Sequence, residues 1–392
     1  MRKGKVFRYC SMAVVLGIAI FFADTGKGRS AYKKGMDFFD KGEYEKALSP
    51  FQEAIREEKS NPRYYIGYGM SLNHLNQFTE AKKEFQGALQ CNGDLSKENQ
   101  KQIYYGMAVA EYGLGSYQDV ISHCERALAF SALSNKDNDI LFTKAVAEQL
   151  SGKLQEAKKD YEKILSNSDL YLDAYMQLGK IAEEEGDYNE AAKQYEAATR
   201  VDESFDEAYF CLSQAYQMAG REAEAEKPLN QLIGIQSNNA EDFLTIGKAF
   251  YYKKDYNSAK DYLQRAYDGK KAEGKYYLAL IYMKQGDYNS AVTELNTYIL
   301  ENTEDLNVEA YNQLAGCYMH LKEYAKAQNA ITKGLSFGNT SAVRNLKRNQ
   351  VVLLEKQNQY KLAKAAAKNY IEVYGGADGM EKELEFIKTK LK

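Results

Sequence analysis

The chain has 392 residues, 52 of them basic and 55 acidic, and its formal charge of −3 excludes the global basicity of a general nucleic-acid binder. Hydrophobic residues make up 44% and exclude wholesale disorder, while three histidines and five scattered cysteines leave little material for a metal or hydrolytic centre. Three prolines mean few forced helix breaks, and 33 tyrosines without a single tryptophan point to repeated use of one ring type.

At the amino terminus Arg2, Lys3, Lys5 and Arg8 precede an apolar run from Tyr9 to Ala23. At about 1.5 Å per residue the run covers roughly 22 Å against about 30 Å of hydrocarbon, which suits a secretory segment better than a relaxed membrane span. Cleavage chemistry points the other way, because a cut after Ala23 would put Phe21 where a small residue is needed. Residues 1–29 are therefore expected as an uncleaved signal anchor in the cytoplasmic membrane, with the remainder outside the cytoplasm. A cleaved secretory peptide and a buried helix are the alternatives. Cys10 lies before the apolar run, which disfavours lipidation. Cys91, Cys124, Cys211 and Cys317 share no register and read as small buried hydrophobes, not as a disulfide framework.

From residue 30 onward the chain repeats itself. The stretches Gly42-Glu43-Tyr44, Gly186-Asp187-Tyr188 and Gly286-Asp287-Tyr288 share a register with a period of about 34 residues, the range of helical solenoids. Equivalent turn positions are Gly42, Asn76, Gly115, Gly152, Gly186, Gly220, Lys254, Gly286, Lys322 and Asn358. Five residues later stand Ala47, Ala81, Val120, Ala157, Ala191, Ala225, Ala259, Ala291, Ala327 and Ala363. Seven residues before the turn the side chain is again small in almost every unit, from Gly35 and Gly69 to Ala279 and Ala315. Small residues on facing helices let axes approach closely, and aromatics two residues after the turn, such as Tyr44, Phe78 and Tyr288, are expected to fill the wedge beside them. Each unit reads as helix A, a left-handed turn residue, then helix B. Pro50 and Pro228 fall inside helix B of units one and six and are expected to bend it modestly. Beyond the tenth unit Asp378 and Glu381 read as a capping box, and Met380, Leu384, Ile387 and Leu391 form one apolar stripe. Residues 377–392 are thus expected as a capping helix after an array spanning 30–376.

These positions resemble the tetratricopeptide repeat family, and the unit carrying Tyr175, Leu178, Gly179, Gly186, Tyr188, Ala191, Tyr195 and Ala198 fills nearly every signature position. Departures are the absent proline at the end of helix B, Glu222 in place of the turn aromatic of unit six, and a degenerate tenth unit. The resemblance implies an all-α, right-handed superhelical solenoid of about ten repeats whose A helices line a concave groove that holds partner segments. In that frame the residue ten before each turn faces inward: Tyr32, Ile66, Tyr105, Phe142, Met176, Phe210, Leu244 and Tyr276. These form either an apolar binding strip or packing between helices. Three residues earlier Asp139, Asp173, Glu207, Glu241, Glu273 and Glu309 form an acidic rim, or simply carboxylates at helix starts. The expected partner is a protein or peptide segment, apolar with basic flanks, with no nucleic acid and no cofactor. Tyr32 and Met36 stand where chaperone-tail clamps of the family carry Lys and Asn, so that clamp is absent. No Gly-rich phosphate loop, paired-Cys motif or His beside a nucleophile is present, so the expectation is a non-enzymatic scaffold serving envelope or secretion assembly. A glycan-binding solenoid is the alternative, since tyrosines also stack on sugars.

Overall fold

The computed structural model describes residues 26–91, 95–132, 137–236, 238–302, 308–336, 341–374 and 379–391. Among them are 21 helices and no strand, which is the all-α repeat fold expected. The repeat register reads as one array, yet the chain divides at Gly220/Arg221 into two compact units. The division falls in the repeat where Glu222 replaces the turn aromatic.

In the first unit α1 (Arg29–Asp40) pairs with α2 (Tyr44–Glu57), α3 (Pro62–His74) with α4 (Phe78–Leu89), and α5 (Lys97–Gly113) with α6 (Tyr117–Leu128). There follow α7 (Asp137–Leu150) with α8 (Leu154–Asn167), α9 (Leu172–Glu185) with α10 (Tyr188–Val201), and α11 (Asp206–Met218). The second unit opens with α12 (Glu222–Ile233), then pairs α13 (Ala240–Tyr252) with α14 (Tyr256–Asp268) and α15 (Glu273–Lys284) with α16 (Tyr288–Glu301). It ends with α17 (Val308–His320) and α18 (Tyr324–Leu335), α19 (Ser341–Lys356) and α20 (Tyr360–Tyr374), and a last helix α21 (Met380–Thr389).

The hairpins close as the sequence predicts. All ten turn positions adopt positive φ, from 58° at Asn76 to 79° at Gly186. The amide after the turn donates to the carbonyl five residues before it, as in Glu43 N to Phe38 O at 2.9 Å and Asp187 N to Ala182 O at 2.8 Å, which satisfies carbonyls the helix end leaves orphaned. Side-chain oxygens of Asn61, Ser96, Asp187, Asn239, Asp255 and Asp287 cap the helices that follow them.

The packing of the small residues differs from expectation in one respect. The rings lying on them come from the middle of helix B, not from its start. A Cβ on Gly35 would meet Phe51 at 2.7 Å, one on Gly69 would meet Phe85 at 2.9 Å, and one on Gly179 would meet Tyr195 at 2.4 Å. The aromatics just after the turn pack instead on the ends of the A helices, their own, as Tyr44 on Phe39 and Tyr117 on Tyr112, and the next. Tyr44 stacks on His74 with centroids 4.0 Å apart, Tyr288 stacks on His320 at 4.2 Å, and Phe78 lies over Gly113. The shared register of the two histidines is therefore a packing register.

Two further corrections concern the ends. Among the described residues no helix is long and apolar enough to cross a membrane, so the single N-terminal anchor and the membrane placement expected from the sequence are not supported. The run Tyr9–Ala23 itself lies outside the described residues. At the other end α21 starts at Met380 behind Gly379, whose φ is 91°, with no side-chain cap, and Asp378 lies outside the described residues.

Candidate functional site

Within each unit the A helices stand side by side: α1, α3, α5 and α7 in succession in the first, and α13 beside α15 and α17 beside α19 in the second. Their common face is the candidate surface. It is built by the register just described, since the residue seven before the turn faces helix B and its neighbour turns about 100° away from that contact.

The eight inward residues read from the sequence do not lie on this face as one strip. Ile66, Tyr105, Met176, Phe210 and Leu244 are buried among the helices, and Tyr32, Phe142 and Tyr276 are half-buried. The reason is geometric: the position ten before the turn wedges between its own helix B and the next helix A. Tyr32 meets Phe51 and Tyr64 at centroid distances of 5.8 and 5.2 Å, and Phe142 meets Tyr161 and Tyr171 at 5.6 and 5.7 Å. Burial drives the hydroxyls of Tyr105 and Tyr276 far above their usual titration range, so both are fixed as neutral core groups.

The residue six before each turn is the second apolar register of the A helices. In the first unit this is Met36, Met70, Val109 and Val146, of which Met36, Met70 and Val146 are half-buried, as Tyr32 and Phe142 are, followed by the half-buried Lys180 and the exposed Gln214. Met70 touches the cores on either side of its own repeat. In the second unit the register reads Lys248, Leu280, Gly316 and Val352, with Lys248 Nζ 5.6 Å from the Tyr277 ring centre. A Cβ on Gly316 would meet nothing within 4 Å, unlike Gly35, Gly69, Gly106, Gly179 and Gly247, so α17 carries a notch here that packing does not demand. Position six was legible in the sequence pattern through the run Met36, Met70, Val109, Val146, but position ten looked more uniformly apolar and drew the reading away from it.

All six residues of the acidic rim occupy first turns of A helices, where the helix dipole favours them. Several are already engaged. Asp139 Oδ1 accepts from the Tyr171 hydroxyl at 3.3 Å, Glu241 pairs with Lys271, and Glu309 Oε1 accepts from Gln313 at 2.7 Å. Asp173, Glu207 and Glu273 are half-buried.

Sequence reasoning missed the buried charges between and within hairpins. Lys101, 1% exposed, donates to Phe130 O at 3.1 Å and pairs with Asp137. Glu111 pairs with Lys82 from the preceding hairpin, and Lys144 Nζ bridges Glu148 and Asp160 at 2.7 Å each. Burial pushes the Glu148 carboxyl up, with the Lys144 hydrogen bond opposing. Cys124 and Cys317 are buried, and burial raises the Cys317 thiol to about 12. Among the described residues no group of three His, Cys, Asp or Glu could hold a metal ion.

A family model described as "Tetratricopeptide repeat" matches residues 32–96, 142–198, 244–305 and 276–331, together more than half of the chain. A second, described as "TPR repeat", matches residues 179–220. Both describe repeats and neither describes a catalytic domain. No curated protein matches the sequence. Similar solved structures include a tetratricopeptide repeat protein from Parabacteroides merdae ATCC 43184, 18% identical, TM-score 0.46, covering 65% of this chain and 98% of that one. PilW, a type IV pilus biogenesis factor, is 14% identical at TM-score 0.45, covering 52% of this chain and 91% of that one. YrrB, described as a TPR protein with an unusual peptide-binding site, is 22% identical at TM-score 0.40, covering 52% of this chain and 97% of that one. At these identities the likeness is one of fold alone.

Proposed function

This chain belongs to the tetratricopeptide repeat family, and on that premise we propose that it is a non-enzymatic scaffold whose A-helix face binds segments of partner proteins. The observation that carries the reading is the row Met36, Met70 and Val146, half-buried apolar side chains repeated at one register of three A helices in the first unit. Unbranched methionines adapt to varied apolar surfaces, and an apolar row of this kind is the centre of an interaction patch more than a place for chemistry. Of the helices carrying the row only α7 starts with carboxylates, and α9 and α11 beyond it do the same, so the partner is an apolar segment with Lys or Arg at one end.

The glycan alternative draws less support. Sugar stacking needs free ring faces, and the tyrosines of the second unit spend theirs on one another and on lysines. Tyr276 and Tyr277 meet edge to face at 89°, as do Tyr251 and Tyr277 at 73°, and Lys260 Nζ sits 4.2 Å from the Tyr282 ring centre.

Photoreactive side chains placed at Met36, Met70 and Val146 in the native cell, with Glu53 and Glu125 on exposed B-helix faces as controls, test the reading. Adducts to the same protein segment from the A-face sites and not from the controls are expected. Equal adducts from both sets, or none from the A face, contradict it.

A further inference from the structure

The last helix is held against the second unit through an apolar contact with a pair of acids at its edge. Met380 and Ile387 of α21 are buried against Val351, Ala363, Ala367 and Tyr370, with Leu354 and Leu384 alongside. Next to Leu354 on α19 stands Glu355, and next to Leu384 on α21 stands Glu383, and these two carboxyls lie within hydrogen-bonding reach of each other. Glu355 Oε1 is buried and receives no hydrogen from any donor. Two carboxylates have no hydrogen to share, so a bond between them requires that one be protonated, and when both ionise they repel across the contact. We propose that Glu355 and Glu383 form a proton-dependent latch that holds α21 on the end of the second unit at low pH and loosens it as pH rises.

The surroundings support this. Burial is the largest influence on Glu355 and Glu383 the next, and together they push its carboxyl up to about 8 from the usual 4.5. Lys356, on its own helix, opposes them. The half-buried Lys364 of α20 is not among the charges acting on Glu355, and neither is any group of α17 or α18. Because the docked state has the raised value, it holds more protons than the undocked state between about 4.5 and about 8. The contribution to docking is therefore full below that window and is lost as pH rises through its upper end.

Hydrogen exchange of the α21 amides in the full chain tests the latch, comparing the parent with Glu383→Gln at the same pH so that intrinsic exchange rates cancel. At pH 8.5 the parent is expected to exchange at least about tenfold faster than the variant, and at pH 5.5 the two should agree within about twofold. Glu355→Gln should reproduce this divergence, and Glu381→Gln, an exposed neighbour on the same helix, should not. A parent-to-variant ratio that is the same at both pH values overturns the proposal, as does a pH-dependent ratio in Glu381→Gln.

Discussion

The Phe85 ring lies so close to Gly106 that a Cβ on Gly106 would sit 2.3 Å from its Cζ. Phe85 belongs to helix B of one repeat and Gly106 to helix A of the next, so this contact limits how closely these two hairpins approach. Gly106→Ala is expected to destabilise by about 1–3 kcal/mol through overpacking. Gly316→Ala, which fills open space, should instead gain roughly 0.5–1 kcal/mol from helix propensity. Urea unfolding of the two variants should show midpoints moving in opposite directions; a shared direction would mean that the notch at Gly316 is packed.

Lys254 and Lys322 adopt φ of 63° and 62° at turn positions that are glycine in six of the other repeats. A side chain in the left-handed region costs about 1–2 kcal/mol. Lys254→Gly and Lys322→Gly are each expected to raise thermal stability by about 1 kcal/mol. No gain in either variant would show that the lysine side chain supplies compensating contacts.

Lys101 is buried beside Asp137. Asp137→Ala strands the buried ammonium and should cost about 3–5 kcal/mol, while Lys101→Met leaves Asp137, whose side chain is 33% exposed, to water and should cost less than about 1 kcal/mol. Chemical denaturation of both variants measures this, and a cost for Lys101→Met equal to that of Asp137→Ala would contradict it.

His123 is half-buried, its Nδ1 has no hydrogen-bond partner, and burial holds its imidazole below the usual value while Glu111 works against that. The unfolded chain therefore takes up the proton at higher pH than the folded one, and stability falls as pH drops through the usual value of 6.5 toward the lower folded one. The difference in unfolding midpoint between the parent and His123→Gln should move against the parent between pH 7 and pH 5. A constant difference would remove His123 from the pH response.

The turns were legible because a left-handed residue leaves a mark that packing rarely overrides: Lys254 and Lys322 were found by register alone, although neither is a turn residue by composition. The face that meets a partner was harder to read. On a helix flanked on two sides, the residues at Ile66 and Met176 satisfy the same apolar pattern whether they face a groove or the neighbouring hairpin. Only the ring contacts of Tyr32 and Phe142 show that position ten is the wedge between hairpins. The buried pairs of Lys101, Glu111 and Lys144 left no trace, because charged residues at helical spacing look the same on a solvated face. The division at Gly220 had only a faint signal in Glu222, because the turn of the fourth repeat lacks its aromatic too, with Leu154 in its place.

The account rests on the A-helix face of the first unit, and affinity for the segment recovered by crosslinking tests it most directly. Met70→Lys and Val146→Lys, each shown by its unfolding transition to be folded, are compared with Glu125→Lys on the exposed side of α6. The account predicts that the two A-face variants bind that segment at least about tenfold more weakly, about 1.4 kcal/mol, and that the control binds as the parent does. Unchanged affinity in both folded A-face variants would contradict it.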